Sequence, residues 1–202
     1  MNELKKFYKK KFNKHGPILK GVAWTESKKS RNRYKTLLKI LEFNNNKKSF
    51  SLLDVGCGYG ELTKYLPKNK NFKYTGIDVV EEMISYSKKT YKNKNLQFNL
   101  TDILKISKKY DFIVCNGTFT LRNNLSNEQM KKFVIKCINI FYKFSKIGFC
   151  FNVMSDMVDY KSKILFYPKL ITILKTIENK KISKINIDSE STDYETSFFI
   201  KK

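Results

Sequence analysis

Three aspartates and a cluster of glycines in the first half of the chain have the types and spacing to hold a ligand. Residues 52–60 read LLDVGCGYG, so Asp54 stands two residues before Gly56, Gly58 and Gly60, with Cys57 inside the loop. Asp78 closes the run FKYTGID, 18 residues after Gly60, and Asp102 falls in LTDIL. Glycine admits positive φ and lets a ligand approach the backbone. A G-x-G-x-x-G loop would suit a pyrophosphate at a helix N-terminus, but here the spacing is G-x-G-x-G, and an acid at Asp54 would repel that group. Asp54 suits a cation such as an α-ammonium. A P-loop is excluded because no G-K-[ST] follows. A carboxylate at Asp78 can accept hydrogen bonds from both hydroxyls of a ribose. Asp102, with Ile103 beside it, can accept from an exocyclic amine such as that of adenine. The set describes a nucleoside that carries a cationic tail.

The elements that must position these residues are legible in the hydropathy pattern. Short apolar strands are expected at 50–55, 72–78, 95–100, 110–117 and 146–153, and a closing pair at 181–187 and 194–200. Helices are expected at 1–12, 28–42, 61–66, 81–91, 126–144 and 167–177, with polar residues 43–49 as a loop. Residues 81–91 place acids in the first turn and lysines in the last, as the helix dipole favours. Ser126 and Gln129 read as a capping box. Strands alternating with helices imply βαβ units, right-handed crossovers and a mostly parallel sheet covered on both faces. Ligands bind such sheets beyond the carboxyl ends of the strands, which is where all three aspartates fall.

The net charge of +23 raises the possibility of a nucleic-acid partner. It comes from 38 Lys and only three Arg, beside 19 Asn and a single Ala, a composition of A/T-rich codons. A phosphate-binding surface would be expected to recruit Arg, whose guanidinium forks onto phosphates. The lysines are also spread along the whole chain, so nucleic acid is not the favoured partner. The four cysteines form no C-x-x-C pair, and His15 is the only histidine, so no metal site is expected. The N-terminal sixteen residues have no signal-peptide h-region, and no run of 18 apolar residues exists. The expected setting is a reducing cytoplasm.

Four stretches, LLDVGCGYG, YTGIDVVEEMI, LTDIL and YDFIVCNGTF, in this order and spacing, resemble the successive motifs of class I S-adenosylmethionine-dependent methyltransferases. The resemblance implies a Rossmann-like α/β fold: a seven-stranded, mostly parallel sheet of order 3-2-1-4-5-7-6, last strand antiparallel, helices on both faces. Residues 1–202 would form a single domain, with 1–45 a helical lead-in or cap and 50–202 the core. The implied cofactor is S-adenosylmethionine. Gly56, Cys57 and Gly58 would line its methionine part, with Asp54 near the ammonium. Asp78 and Val79 would lie at the ribose, Asp102 and Ile103 at the adenine, and Met83 over the adenine face. Asn116 and Gly117 would border the reacting methyl. Residues His15–Gly16, Trp24, Arg33–Tyr34, GTFT (117–120) and GFCFN (148–152) are similar to a small subgroup of these enzymes, from which Thr120 departs.

Trp24 is expected either in the core or over the cofactor or acceptor, and Arg33 either at the cofactor's carboxylate or in a helix-surface ion pair. His15 and Asn116 are the candidates for a catalytic role, His15 as a general base. No N-P-P-[YF] segment follows the fourth strand, which argues against nucleobase amines. Acceptor choice is expected to come from residues 1–34 and 152–167. A small-molecule acceptor is the first expectation. RNA or protein methylation, a non-catalytic cofactor-binding protein and a nucleotide-dependent oxidoreductase are the alternatives.

Overall fold

The structure, a computed structural model, describes residues 2–24, 28–44, 49–68 and 71–202. Most of the polar loop expected at 43–49 lies outside them. Seven strands form one sheet: β1 (Ser49–Val55), β2 (Asn71–Asp78), β3 (Leu96–Leu100), β4 (Tyr110–Cys115), β5 (Ser145–Met154), β6 (Lys184–Asp188) and β7 (Glu195–Lys201). Their order is β3-β2-β1-β4-β5-β7-β6. β1 to β5 pair in parallel, and β7 runs antiparallel between β5 and β6. Order and direction agree with the expectation. The order reverses at β1, which β2 and β4 flank, so their carboxyl-end loops diverge there and leave a crevice.

The inner strands β4 and β5 read as largely apolar runs because both faces are covered. Along β4, Ile113 and Cys115 face one cluster, with Phe119, Phe141, Phe149, Phe151 and Phe198. Phe112 and Val114 face the other, with Leu37, Ile40, Leu52, Tyr74 and Phe98. The first layer is closed by α4 (Asn127–Phe144) and α5 (Leu170–Glu178), the second by α2 (Lys28–Leu38) and the short turns around it. Two helices remain: α1 (Asn2–His15), and α3 (Glu81–Thr90), which starts directly beyond β2.

Local signals account for the ends. The Ser126 hydroxyl accepts from the Gln129 N–H at 3.1 Å, and the Gln129 side chain accepts from the Ser126 N–H at 2.8 Å, which completes the capping box on α4. The helix expected at 61–66 is instead a 3-10 segment, Glu61–Tyr65. Leu66 precedes Pro67 and takes an extended conformation (φ −64°, ψ 143°), as pre-proline sterics require, so no second turn forms. The helix expected at 28–42 likewise tightens to 3-10 geometry from Lys39 to Phe43.

Candidate cofactor and acceptor site

A cleft opens over the carboxyl ends of β1, β2, β3 and β4. Of the expected residues, Asp54, Gly56, Cys57, Gly58, Asp78, Val79, Met83, Asp102, Ile103, Asn116, Gly117 and Trp24 all line it. Leu4, Lys5 and Tyr8 of α1 reach across it, with Val22 and Tyr34, and the enclosed volume is about 130 Å³. The lead-in thus overhangs the sheet as expected. The stretch 152–167 contributes no lining residue. Instead Leu165 pairs with Leu121 and the Phe166 N–H donates to the Thr120 carbonyl, so this stretch packs along the segment that follows β4.

Each aspartate is held differently. Asp54 is almost fully buried and accepts a hydrogen bond from the Tyr74 hydroxyl at 2.7 Å. Burial pushes its carboxyl up to about 7, against the opposing effect of the Tyr74 bond; the Asp78 charge adds to the rise. Asp78 ties the glycine loop to the end of β2. Its Oδ2 accepts from the Gly58 N–H at 3.0 Å and its Oδ1 from the Val80 N–H at 2.9 Å. A carboxylate has about four acceptor positions, so both oxygens retain capacity for a ligand. Burial raises the Asp78 carboxyl, and these backbone bonds oppose the rise. Asp102 caps a 3-10 turn, its Oδ1 accepting from the Leu104 N–H at 2.8 Å.

The loop glycines are needed first by the protein itself. Gly56 has φ +72°, and a Cβ there would stand 2.2 Å from the Thr118 hydroxyl oxygen. That hydroxyl donates to the Val55 carbonyl at 3.3 Å. The close neighbour is thus the loop after β4, crossing over β1. Inside the glycine loop, the Cys57 thiol is buried and donates to the Gly58 carbonyl at 3.6 Å, and burial pushes it well up.

Trp24 packs against the core and also lines the cleft. Its ring stands against Gly117, where an added Cβ would meet the indole at 2.6 Å, and it packs on Tyr34 at 5.5 Å between ring centroids. The Arg33 guanidinium lies 4.5 Å above the Trp24 ring and pairs with Glu195 at 2.8 Å. That ion pair is largely buried, and Arg33 is not among the lining residues. His15 ends α1 and does not line the cleft either. Asn116 Oδ1 accepts from Asn152 Nδ2 at 3.1 Å.

Sequence reasoning missed Tyr74, Tyr8 and Thr118. Tyr74 sits on a strand whose alternation marks it only as core, and its hydroxyl partner is 20 residues away. Tyr8 is a partly buried residue of α1 that lines the cleft, where desolvation and then the Asp78 charge raise its hydroxyl. Among the described residues no helix is long and apolar enough to cross a membrane.

Comparison with known proteins gives a consistent result. The family described as "Methyltransferase domain" matches residues 46–182. A malonyl-[acyl-carrier protein] O-methyltransferase of Acetivibrio thermocellus is 37% identical over 93 residues, covering 45% of this chain and 32% of the relative. The chain therefore matches about a third of that relative's length. Among solved structures, the N-methyltransferase NodS from Bradyrhizobium japonicum with bound S-adenosyl-l-homocysteine superposes with TM-score 0.69 at 17% identity, covering 98% of this chain and 97% of that one. Magnesium protoporphyrin IX methyltransferase from Synechocystis with bound S-adenosylmethionine gives 0.67 at 15% identity, covering 98% and 96%. At these identities the likeness is one of fold.

Proposed function

Because the chain belongs to the class I S-adenosylmethionine-dependent methyltransferases, we propose that its cleft binds S-adenosylmethionine and that the protein moves the methyl group to an oxygen or nitrogen of a small-molecule acceptor. The carrying observation is the convergence of Asp54, Asp78 and Asp102 on one cleft at the reversal of strand order. When bound, the cofactor supplies an electrophilic methyl on a sulfonium with a neutral leaving group. Asp54 would meet the ammonium, the remaining lone pairs of Asp78 the ribose hydroxyls, and Asp102 with Ile103 the adenine. Met83 would cover the adenine face, and Asn116 and Gly117 would border the methyl. The protein's main task is then to hold two reactants in line, which converts a bimolecular step into a unimolecular one. A base is required only where the acceptor must lose a proton.

A small acceptor is supported by the narrow space left under α1 and Trp24. Titration calorimetry tests the cofactor assignment. S-adenosylmethionine should bind and NAD should not, and Asp78→Ala should weaken S-adenosylmethionine at least about ten-fold, by loss of charge-assisted hydrogen bonds. An unchanged affinity in Asp78→Ala would remove the site assignment.

A second reading, methylation of RNA or protein, is favoured by the net charge of +23. Steeply salt-dependent binding to RNA would support it over the first. Bound cofactor with no turnover on a metabolite extract would point instead to a non-catalytic binding protein.

A further inference from the structure

One buried donor in the cleft is left over. The Nδ2 of Asn116 is shut off from solvent and meets no acceptor among the described residues. Asn116 itself is only 9% exposed and lines the cleft. Buried N–H groups without partners are rare and costly.

The direction in which this amide faces is decided by its neighbours. The Gly117 backbone N–H, an obligatory donor, gives its hydrogen to Asn152 Oδ1 at 2.7 Å. The Asn152 amide is thereby turned so that Nδ2 faces the Glu195 carboxylate at 2.7 Å and Asn116 at 3.1 Å. Glu195 is in turn held by Arg33 at 2.8 Å. A reversed Asn152 would set N–H against N–H at Gly117 and oxygen against carboxylate at Glu195. Asn116 must therefore present Oδ1 to Asn152, which leaves its NH2 without an acceptor in a residue that lines the cleft. An amine or ammonium placed there would oppose donor to donor. An oxygen acceptor fits, and an ionised one gains about twice as much as a neutral one.

We propose that Asn152 is a positioning residue that locks the Asn116 amide so that its NH2 binds a carboxylate oxygen, supplied either by the amino-acid end of the cofactor or by the methyl acceptor. The proposal rests on the methyltransferase reading of this cleft.

Calorimetry with S-adenosylhomocysteine and with 5′-methylthioadenosine, which lacks the amino-acid end, tests the first source. Asn116→Asp turns the donor into an oxygen, and Asn116→Ala removes it without adding a buried charge. For a cofactor carboxylate, both variants should lose roughly ten-fold or more in S-adenosylhomocysteine affinity and keep that for 5′-methylthioadenosine. Asn152→Ala should show the same split, several-fold in size, which a merely structural role would not produce.

For an acceptor carboxylate, S-adenosylhomocysteine affinity should stay unchanged in all three variants. That carboxylate oxygen would itself take the methyl as the sulfonium C–S bond breaks and S-adenosylhomocysteine leaves, so labelled methyl from S-adenosylmethionine should enter a small-molecule cell extract as alkali-labile ester, with formation about ten-fold lower in Asn116→Ala.

Unchanged S-adenosylhomocysteine binding together with no alkali-labile label overturns the proposal, as does faster transfer by Asn116→Asp. A loss in Asn116→Ala without one in Asn152→Ala removes the positioning role. Failure of the wild-type protein to bind S-adenosylhomocysteine would sink the methyltransferase reading itself. That outcome is distinct from a wild type that binds while its variants show no effect.

Discussion

Asp54 illustrates how burial and one hydrogen bond together set the charge of a single residue. Burial holds its carboxyl near 7, and the Tyr74 hydroxyl is the hydrogen bond that favours the ionised form. The folded value lies above the unfolded one, so the folded chain holds the proton longer. Between roughly pH 4 and 7 this group's contribution to stability therefore falls as pH rises. A cationic ligand reverses the preference by stabilising the ionised carboxylate. Affinity for S-adenosylmethionine should climb by up to about ten-fold per pH unit below 7 and level off above it, with proton release on binding at pH 6 that calorimetry in buffers of different ionisation heat would detect. Tyr74→Phe should move the levelling point to higher pH and weaken binding several-fold at pH 7 but little at pH 9. A profile flat from pH 5.5 to 8 would show that Asp54 does not meet the cation. The acid was legible from its place after an apolar run and before the glycines. Its partner Tyr74 was not, because nothing local distinguishes a core tyrosine from one whose hydroxyl meets an acid across the strand pair.

At the level of elements, glycines, prolines and caps marked the boundaries, and packing decided the rest. Gly56 was expected to line the cofactor's methionine part; it lines the cleft, and its missing Cβ also leaves room for the Thr118 hydroxyl. Gly56→Ala should therefore cost about 1–3 kcal/mol of unfolding free energy, from left-handed backbone strain and displacement of Thr118. Urea denaturation without any ligand would measure it. A cofactor-only role predicts normal stability with lost binding. Ser126→Ala, which removes one half of the capping box, should cost about 1 kcal/mol and leave cofactor affinity unchanged, since Ser126 is not among the residues that line the cleft. The shortening of the segment after the glycine loop was readable in principle from Pro67. The route of residues 152–167 was not, since a stretch without helical or strand periodicity does not say which loop it will follow.

For the whole molecule, the charge and the position of α1 matter most. A net charge of +23 repels itself in the compact state. Raising sodium chloride from 20 to 300 mM should raise Tm by several degrees through screening; a fall would show that specific ion pairs outweigh the repulsion. α1 lies over the cleft, anchored by Lys9 on Glu82 and by Phe12 against Tyr59 and Tyr86. Phe12→Ala should loosen that cover and speed cofactor release in stopped-flow measurements, with the sheet intact by far-UV circular dichroism. By itself the sequence determined the strands, their mostly parallel arrangement and the three aspartates, because hydrophobic periodicity and strand-end motifs are local and repeat along the chain, while the strand order came from the resemblance to a known family. Only the tertiary structure decided the partners: Tyr74 on Asp54, Thr118 against Gly56, and the path from Arg33 through Glu195 and Asn152 to Asn116. These contacts join residues 20 to 162 positions apart. Their energy depends on burial and orientation, which arise only once helices and strands have packed.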